Sequence, residues 1–521
     1  MVTIDQYAQR AECIQGRDRE LRLELDRNLA GYRDQQRVLA GKYRVADVDP
    51  QPYSEVTRAA IVKRAELCAE PWSFAWTSGT TNEPKQIFYP SSRLRALADH
   101  CVDQTLLAAT AYGVTIPRFC FLSSFADDRS LSGLLARALA SCTLATEILE
   151  DYLALRFAAV KLVPRYSPLS IWWALLWSLQ PTVVATVNPS TLCALVRYGR
   201  AAFPRLREQV RQIMEEADWQ EALDSVGLSG ARFEILDWLT TTTVPPSPRE
   251  MLPHVELIYC WQGGYVRPFV DQLRDQLGTG QTSLAPMFSL STETVACSVF
   301  PHLTRTAGLP IYPECCYEFL PRDAETTAEN VLLPWEIVPG NEYRMVVSDE
   351  YGLVRYDTMD VFRCVGHTGD APLIEFVRRH GLNYSFTGEK LTDVQLQDAC
   401  KEVATANRLN GAAITCFPRR GAGPVPGYLF VLLEPDCPVN RERLARQLDG
   451  VLCRINCEYA AKRTTDRLAA PELIMMPMEA LVAMLTRALP RTASANSAQF
   501  KLLPLYALLW EDVVAATGEE K

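Results

Sequence analysis

The chain has 521 residues, of which 48% are apolar and 22% are charged, and its 53 Lys and Arg against 62 Asp and Glu give a net charge of −9. That length exceeds what one hydrophobic core normally serves, so we expect a large domain and at least one smaller domain. The acidic balance, without any basic stripe, argues against nucleic acid as a partner. Sixteen cysteines without a secretory signal predict a cytoplasmic protein whose thiols are small, buried apolar groups.

The first 200 residues contain one strongly charged and one strongly apolar segment. Residues 5–45 mix Glu, Arg, Asp and Lys with leucines, which predicts amphipathic helices. Residues 167–196 carry no charge, but three prolines divide them, so the apolar helix around Ile171 reaches about half the length that a bilayer requires. We therefore expect no membrane partner. The three tryptophans of this helix, Trp172 among them, either pack in the core, which we favour, or line an apolar ligand pocket.

Short β-branched or aromatic runs alternate with helical patterns from Phe74 onwards. The predicted strands are residues 119–123, 145–149, 182–187 and 256–260, and a helix is predicted to begin near Asn188. This alternation is typical of an α/β fold with a mainly parallel sheet, whose ligands bind at the carboxyl ends of the strands.

The pattern changes twice farther along the chain. From Ile311, the runs 317–321, 342–347 and 352–356 predict a β-rich subregion. Helices and strands alternate again from residue 393. We predict a large N-terminal domain over residues 1–385, a hinge over 386–392 and a small, mobile C-terminal α/β domain over 393–521.

A loop rich in hydroxyl groups follows the short apolar run that ends at Trp76. Gly79 lets backbone N–H groups approach a ligand closely, Lys85 adds positive charge, and the side chains of Ser78, Thr80 and Thr81 can donate hydrogen bonds. These features suit a loop that wraps a polyphosphate, although the spacing is not that of a Walker A motif. The alternative is an ordinary Ser/Thr turn between two strands.

Four further motifs follow in order, and each is weak alone. They are Tyr259-Cys260-Trp261-Gln262-Gly263-Gly264, Ser289-Leu290-Ser291-Thr292-Glu293, Tyr356-Asp357-Thr358-Met359-Asp360 and Gln499-Phe500-Lys501. A single carboxylate in such a motif is most simply solvated, and Lys501 alone would be a surface lysine. The order and spacing of all five motifs together are much harder to obtain by chance.

With these motifs the chain resembles the acyl acid-amido synthetases, the Gretchen-Hagen-type enzymes that join auxin, jasmonate or benzoates to amino acids. They are a branch of the adenylate-forming superfamily that includes firefly luciferase and acyl-CoA synthetases. The resemblance runs from about Leu21 to about Pro504 and is most specific in residues 77–85, 259–264 and 340–363. It implies a large adenylate-forming domain followed by a small mobile domain.

The resemblance also implies a role for each matching residue. Ser78, Gly79, Thr80, Thr81 and Lys85 would hold the ATP phosphates. Thr292 would lie near the AMP phosphate and Glu293 would bind Mg²⁺, while Tyr356 and Asp360 match the motif whose aspartate binds the ribose. Lys501 matches the C-terminal lysine that reaches the substrate carboxylate and the α-phosphate. Apart from the resemblance, the residue types of the helix at Trp172 and of the loop Trp261-Gln262-Gly263-Gly264 suggest an apolar or aromatic pocket for the acid.

Four parts of the chain depart from the motifs of that family, one of them after Lys501, where Leu502-Leu503-Pro504 replaces the common Thr-Pro-Arg. Asn82 stands in place of a glycine, and Asn often replaces Gly at positive φ. Ser289 stands where an aromatic ring commonly stacks on adenine, so we expect Phe288 or another ring to serve. The segment 356–360 lacks the usual arginine and glycine but keeps Asp360.

The favoured function is an ATP-dependent ligase that converts a small carboxylic acid, expected to be apolar or aromatic, into an acyl-AMP. Its acyl group would then pass to an amine, expected to be an amino acid. This chemistry requires charge neutralisation on the phosphates by Mg²⁺ and lysine, and otherwise mainly positioning. Two alternatives stay open: a ligase with a thiol acceptor, which would be CoA or a carrier protein, and a degenerate protein that only binds a carboxylic acid.

Overall fold

The computed structural model describes residues 14–31, 45–77, 85–123, 125, 130–139, 143–263, 266–277, 282–301, 306–381, 383–384, 386, 389, 391–409, 412–420, 425–433, 438–464, 468–488 and 502–516.

The first part of the chain contains twelve α-helices and six strands within the described residues. These elements are α1 (Ile14–Gly31), α2 (Glu55–Glu66), β1 (Trp72–Trp76), β2 (Gln86–Pro90), α3 (Ser91–Ala111), β3 (Phe119–Phe121), α4 (Leu131–Leu139), α5 (Thr143–Leu162), α6 (Pro168–Leu179), β4 (Val183–Thr186), α7 (Pro189–Ala201), α8 (Phe203–Glu215), α9 (Ala217–Ser225), α10 (Ser229–Thr241), α11 (Pro248–Met251), β5 (Leu257–Cys260), α12 (Arg267–Leu277) and β6 (Ser283–Pro286).

Strands β3, β4, β5 and β6 form a parallel sheet in that order. Every residue of β4 and β5 is buried, as is normal for a parallel sheet covered by helices on both faces. The predicted α/β fold with a parallel sheet is confirmed. The prediction of a strand at residues 145–149 was wrong, because these residues belong to α5. There Leu149, Tyr152 and Leu153 are buried on one helical face, and that period of 3.6 residues extends far beyond the apolar run.

Helix α6 is buried along almost its whole length. Trp172 stacks on Phe125 with ring centroids 4.2 Å apart, and the indole N–H of Trp173 donates to the Leu195 carbonyl at 3.0 Å. These two tryptophans therefore pack in the core, which was the favoured interpretation. Across the described residues, no helix combines the length and apolarity needed to cross a membrane.

An antiparallel sheet follows in the chain. Its strands, and the short pair after them, are β7 (Ser289–Leu290), β8 (Val295–Val299), β9 (Gly308–Leu309), β10 (Cys315–Pro321), β11 (Glu342–Asp349), β12 (Tyr356–Thr368), β13 (Ala371–Arg379), β14 (Asn383–Tyr384) and β15 (Leu391–Thr392). The seven-stranded order is β10-β11-β12-β13-β9-β8-β7, which confirms the predicted β-rich subregion.

The prediction of a strand at 352–356 was wrong for its first four residues, which form a turn before β12. One carboxylate oxygen of Asp349 accepts from the backbone N–H groups of Tyr351 at 2.9 Å and Leu353 at 3.0 Å. Gly352 has a φ of +117°, and a Cβ at this position would lie 2.9 Å from the Cα of Ile61. The turn thus depends on a glycine that has no room for a side chain.

The C-terminal part of the chain contains α13 (Asp393–Ala406), β16 (Ala413–Arg419), β17 (Gly427–Leu433), α14 (Arg441–Ile455), α15 (Cys457–Thr464), β18 (Glu472–Met476), α16 (Met478–Ala488) and α17 (Trp510–Ala515). Strands β16, β17 and β18 form a mixed sheet in that order. Leu396, Leu448 and Tyr459 belong to one buried apolar cluster on this sheet. The division at residues 386–392, much of which lies outside the described residues, stays a prediction.

A buried ionic cluster joins the N-terminal segment to the antiparallel sheet. The carboxylate of Glu318 in β10 accepts from Arg22 of α1 at 2.9 Å and from Arg355 at 2.7 and 2.9 Å. Arg355 also donates to the carbonyls of Ala46 and Val48 at 2.7 and 2.9 Å. Residues 45–51 are thereby held beside the start of β12, where the Gln51 carbonyl accepts from the Asp357 N–H at 2.9 Å.

Loss of the Glu318 charge is expected to destabilise the fold strongly. Glu318 and Arg355 are 1% and 4% exposed, so Glu318→Gln leaves a buried guanidinium without its counter-charge, at a cost of about 3–5 kcal/mol. The check is the free energy of unfolding from urea titrations. The matched control is Asp218→Asn, which breaks an exposed pair with Lys161 and should change stability little. Equal effects of the two substitutions would contradict this account.

Candidate active site

The predicted phosphate loop connects the two strands of a β-hairpin. Strands β1 and β2 pair antiparallel from Trp72 opposite Pro90 to Trp76 opposite Gln86. The Thr77 N–H donates to the Lys85 carbonyl at 3.0 Å, and the Lys85 N–H donates to the Thr77 hydroxyl at 3.0 Å. Both ends of the loop are therefore fixed. The predicted residues Ser78, Gly79, Thr80 and Thr81, together with Asn82, lie outside the described residues.

Three of the predicted site residues meet in one cluster, here called the Lys85 cluster: Lys85, Glu293 and Tyr356. The ammonium of Lys85 lies 3.2 Å from Oε1 of Glu293 and 2.5 Å from the hydroxyl of Tyr356. That hydroxyl donates to the same Oε1 at 3.2 Å. The members are 63 to 271 residues apart in sequence, so the fold alone brings them together.

The Glu293 carboxylate is buried but strongly ionised. Burial by itself raises the pKa of a carboxyl group, yet the charges of Lys85 and Arg379 and a hydrogen bond to its own backbone outweigh burial and lower the pKa of Glu293 to about 2. Burial and the neighbouring Glu293 charge raise the pKa of Tyr356 well above its usual value. The tyrosine therefore keeps its proton, and its hydroxyl group can donate a hydrogen bond to Glu293.

Arg93, which the sequence analysis missed, holds the backbone that carries Glu293. Its guanidinium donates to the Phe88 carbonyl at 2.8 Å, to the Glu293 carbonyl at 3.2 Å and to Asp349 at 3.0 Å. It also lies over the rings of Tyr89 and Tyr351, 4.4 and 4.3 Å from their centroids. The available signal was an arginine in the first turn of the helix that follows the buried strand β2.

The predicted residue Thr292 is held through its backbone. The Tyr89 hydroxyl donates to the Thr292 carbonyl at 2.9 Å. The hydroxyl of the preceding residue, Ser291, accepts from the N–H groups of Glu293 and Thr294 at 3.2 Å each. Serine side chains commonly form such local hydrogen bonds to the backbone. The turn fixes the backbone positions of Thr292 and Glu293.

A second carboxyl group near Arg93, that of Glu314, has a raised pKa, whereas the pKa of Glu293 is lowered. Glu314 lies beside Tyr312, whose hydroxyl donates to it at 3.4 Å. Burial, with a smaller contribution from the charges of Glu350 and Asp349, raises the pKa of Glu314 to about 7 despite the lowering effect of Arg93. Two glutamates of one neighbourhood thus differ in charge at neutral pH.

The segment 356–360 keeps its left-handed turn without a glycine. Met359 has a φ of +63° at the position where the resembling family has Gly. The Asp357 carboxylate accepts from the Met359 N–H at 2.9 Å, and the Thr358 hydroxyl accepts from the Asp360 N–H at 3.1 Å. Asp357 also forms a buried ion pair with Arg344 at 3.0 Å. These bonds offset the strain of a side chain at positive φ, and Asp360 lies opposite Arg379 in the β12–β13 register.

The loop after β5 carries the predicted acid-binding residues. The indole N–H of Trp261 donates to the Phe288 carbonyl at 3.0 Å, and a Cβ at Gly263 would lie 3.2 Å from the Phe376 carbonyl. Among the described residues, the buried amide nitrogen of Gln262 has no hydrogen-bond partner. Gly264 lies outside the described residues.

Phe288 and Ser289, the candidates for adenine stacking, differ in their surroundings. The Phe288 ring is 5% exposed and contacts His100 edge-to-face, with centroids 5.4 Å apart. Ser289 begins β7 and is partly exposed. Trp172 lies on α6, packed on Phe125 as described above, and not in the loop after β5.

Lys501 lies outside the described residues, but the chain that follows it is well bonded. The Leu503 carbonyl accepts from the Thr415 hydroxyl at 2.6 Å. The Pro504 carbonyl accepts from the Cys416 N–H at 3.0 Å, and the Tyr506 N–H donates to the Cys416 carbonyl at 2.9 Å. Residues 502–506 are therefore held on the edge of the C-terminal sheet.

A cleft of about 790 Å³ lies between α12 and α13. Arg267, Asp271 and Arg274 line one side, Asp398 and Lys401 line the other, and residues 502–504 also contribute. The cleft therefore lies between α12, which follows the loop after β5, and residues 502–504, which follow Lys501.

The pH dependence of stability should reveal the ionised Glu293. Its pKa lies below the ordinary value of 4.5, so its charge stabilises the fold above that value, and this stabilisation is lost as the pH falls toward 2. Glu293→Gln should remove about 2 kcal/mol of the wild-type loss between pH 6 and pH 3. Urea titrations across that range measure this difference.

Glu314→Gln is the matched control with the opposite sign. Because the pKa of Glu314 is raised from 4.5 to about 7, its stabilising effect is complete below 4.5 and is lost as the pH rises through 7. The substitution should therefore make the protein relatively more stable toward neutral pH. Parallel pH profiles for wild type and both variants would refute the assignment of these two groups.

Parts of the chain are similar in sequence to known proteins. Residues 309–379 match the GH3 family central domain. Indole-3-acetic acid-amido synthetase GH3.3 of Arabidopsis thaliana is 24% identical over 230 residues, which cover 40% of this chain and 38% of that enzyme. Putative indole-3-acetic acid-amido synthetase GH3.10 of Oryza sativa subsp. japonica is 34% identical over 121 residues, which cover 23% of this chain and 25% of that protein. The matches thus span less than two thirds of these relatives.

Similar folds extend over nearly the whole chain. The AtGH3.15 acyl acid amido synthetase in complex with 2,4-DB has a TM-score of 0.73 at 16% identity, covering 98% of this chain and 94% of that one. A 2-hydroxyisobutyryl-CoA ligase in complex with 2-HIB-AMP has a TM-score of 0.51 at 12% identity, covering 98% and 92%. Residues 309–379 of this chain are thus similar to the GH3 family central domain, and its fold is similar to that of an acyl acid amido synthetase.

Proposed function

We propose that this protein is an ATP-dependent ligase that adenylates a carboxylic acid and transfers the acyl group to an amine. The observation that carries the proposal is the Lys85 cluster, in which a lysine at the phosphate loop, an ionised glutamate and a tyrosine lie within 3.2 Å of one another. The GH3 central domain and the fold of the acyl acid amido synthetases support the same reaction.

In the first step the chain would hold the ATP phosphates and the acid in line. The loop residues Ser78, Thr80 and Thr81 would donate to phosphate oxygens, and Lys85 would turn from Glu293 toward the negative charge that the phosphates bring. Asp360 would accept from the ribose hydroxyls, and the turn at Met359 sets its position. Thr292 would approach the α-phosphate from its bonded turn.

Glu293 fits a magnesium site. An anionic oxygen is the ligand that Mg²⁺ prefers, and Mg²⁺ commonly binds through one or two carboxylates together with substrate phosphates. The Lys85 and Tyr356 contacts both go to Oε1, and the pKa of about 2 keeps the carboxylate ionised at neutral pH. Bound Mg²⁺ would neutralise charge on the phosphates.

The second step would use the small C-terminal domain. Lys501 would reach the acid carboxylate and the α-phosphate during adenylation, and rotation about residues 386–392 would then open the acyl-AMP to the amine. The bonding of residues 502–506 to β16 supports this, because movement of the C-terminal sheet would carry the neighbouring Lys501 with it.

An apolar or aromatic acid and an amino acid are the proposed substrates. The relatives' names specify indole-3-acetic acid, and the similar structure contains 2,4-DB. The Trp261 ring would shape the acid pocket together with Gly263, where a Cβ would lie 3.2 Å from the Phe376 carbonyl. All cysteines in the described ranges are free thiols, which supports a cytoplasmic location.

Acid-dependent exchange between ATP and pyrophosphate tests the proposal. The wild type should catalyse exchange with at least one member of a panel of aryl and alkyl carboxylic acids, and Lys501→Ala should lose most of it. The matched control is Lys462→Ala, which changes a lysine of α15 outside the cleft and should keep exchange. If no acid gives exchange or AMP, the ligase proposal is wrong, and the alternative that remains is a protein that only binds a carboxylic acid.

The acceptor is identified from the products. The active acid is incubated with ATP and either an amino-acid mixture or CoA, and mass spectrometry detects the conjugate. An amide and AMP are expected from the amino acids. A CoA thioester without any amide would replace the proposed acceptor with a thiol, which the similarity in fold to a CoA ligase leaves open.

A further inference from the structure

A second cavity, of about 280 Å³, lies away from the Lys85 cluster. Apolar side chains of α6, α10 and the segment after α11 form most of its lining, including Trp177, Trp238, Ile235 and Leu252. Trp177 and Trp238 meet edge-to-face with centroids 4.9 Å apart. The Trp177 N–H already donates to the Met251 carbonyl at 3.1 Å, so its indole offers an apolar surface.

This cavity lies at the amino ends of the parallel strands. Pro181 and Val255 line it, and they lie two residues before the first residues of β4 and β5. The predicted acid-binding loop instead follows the carboxyl end of β5. Because a four-residue strand spans about 13 Å, the sheet separates the cavity from the candidate active site.

The polar residues of the lining are Glu234, Glu250, Gln180 and His254. Two of these four are acidic, and the described residues that line the cavity include neither Lys nor Arg. Glu250 accepts from the Ser247 N–H at 2.7 Å as part of a helix cap, which lowers the pKa of this carboxyl group. Its charge is therefore fixed in place at neutral pH.

Aromatic rings beside carboxylates favour one class of small molecule. Aromatic rings attract organic cations, carboxylates add to that attraction, and a free carboxylic acid would be repelled. The volume is at the lower end for small-molecule sites, which suits a ligand of one or two fused rings. We propose that this cavity is a second binding site, separate from the ligase site, for a small organic ammonium that carries a flat apolar group.

Calorimetric titration of the full chain, without ATP, tests this with two probes that share an indole ring. Tryptamine carries an ammonium and 3-methylindole does not, so wild type should bind tryptamine at least about tenfold more tightly. Glu234 is exposed, so Glu234→Lys should leave the fold intact and remove that preference. Glu215→Lys, the same charge change outside the lining, should keep it.

Three results would overturn the proposal. They are no tryptamine binding by the wild type, equal affinity for both probes, and an unchanged preference in Glu234→Lys. The last result would place tryptamine elsewhere, for example at the acceptor position of the ligase site. None of these outcomes bears on acid-dependent exchange, so the two proposals fail independently.

Discussion

The ionised carboxylate of Glu293, paired with Lys85 and Tyr356, is the interaction on which the rest of the candidate site depends. Burying a carboxylate costs several kcal/mol unless a counter-charge and hydrogen bonds compensate. Here Lys85 supplies the charge, Tyr356 supplies a hydrogen bond, and Arg379 adds to the field. A ligand that brings phosphates would compete for Lys85 and leave the carboxylate ready for a cation. The ion pair between Lys85 and Glu293 is thus stable but can also give way to a ligand.

Three different parts of the fold position the members of this cluster. Lys85 comes from the hairpin β1–β2, Glu293 from the turn between β7 and β8, and Tyr356 from the first residue of β12. Arg93 joins the first two through its bonds to Phe88 and Glu293. The ionic cluster at Glu318 fixes residues 45–51 beside the third. Arg93 and Arg355 are both buried and form ion pairs with carboxylates, Arg93 with Asp349 and Arg355 with Glu318. Each arginine therefore keeps one geometry.

The sequence predicted the fold class because apolar runs and their spacing, which are local patterns, located β3, β4, β5 and α6. The family resemblance of the ordered motifs implied that Lys85, Glu293 and Tyr356 belong to one site, and these three side chains are in contact. The segment 145–149 was misjudged because a short apolar run fits helix and strand equally, and its longer helical period decided the outcome. The turn at Gly352 depends on the close approach of Ile61, which is 291 positions away and leaves no local signal.

The pairing of Arg93 with Asp349 and the acidic aromatic cavity could not be predicted for the same reason. Their partners are far apart in sequence, and tertiary packing alone brings them together. Met359 shows the converse, since a motif that lacks its glycine still forms the left-handed turn when neighbouring side chains accept the backbone N–H groups.

A double-mutant cycle at Lys85 and Glu293 tests the central claim most directly. The measured quantity is the rate of acid-dependent ATP–pyrophosphate exchange for wild type, Lys85→Ala, Glu293→Gln and the double variant. If the two side chains act as one unit, the double variant will be about as slow as the slower single variant. Independent effects that multiply in the double variant would contradict the account.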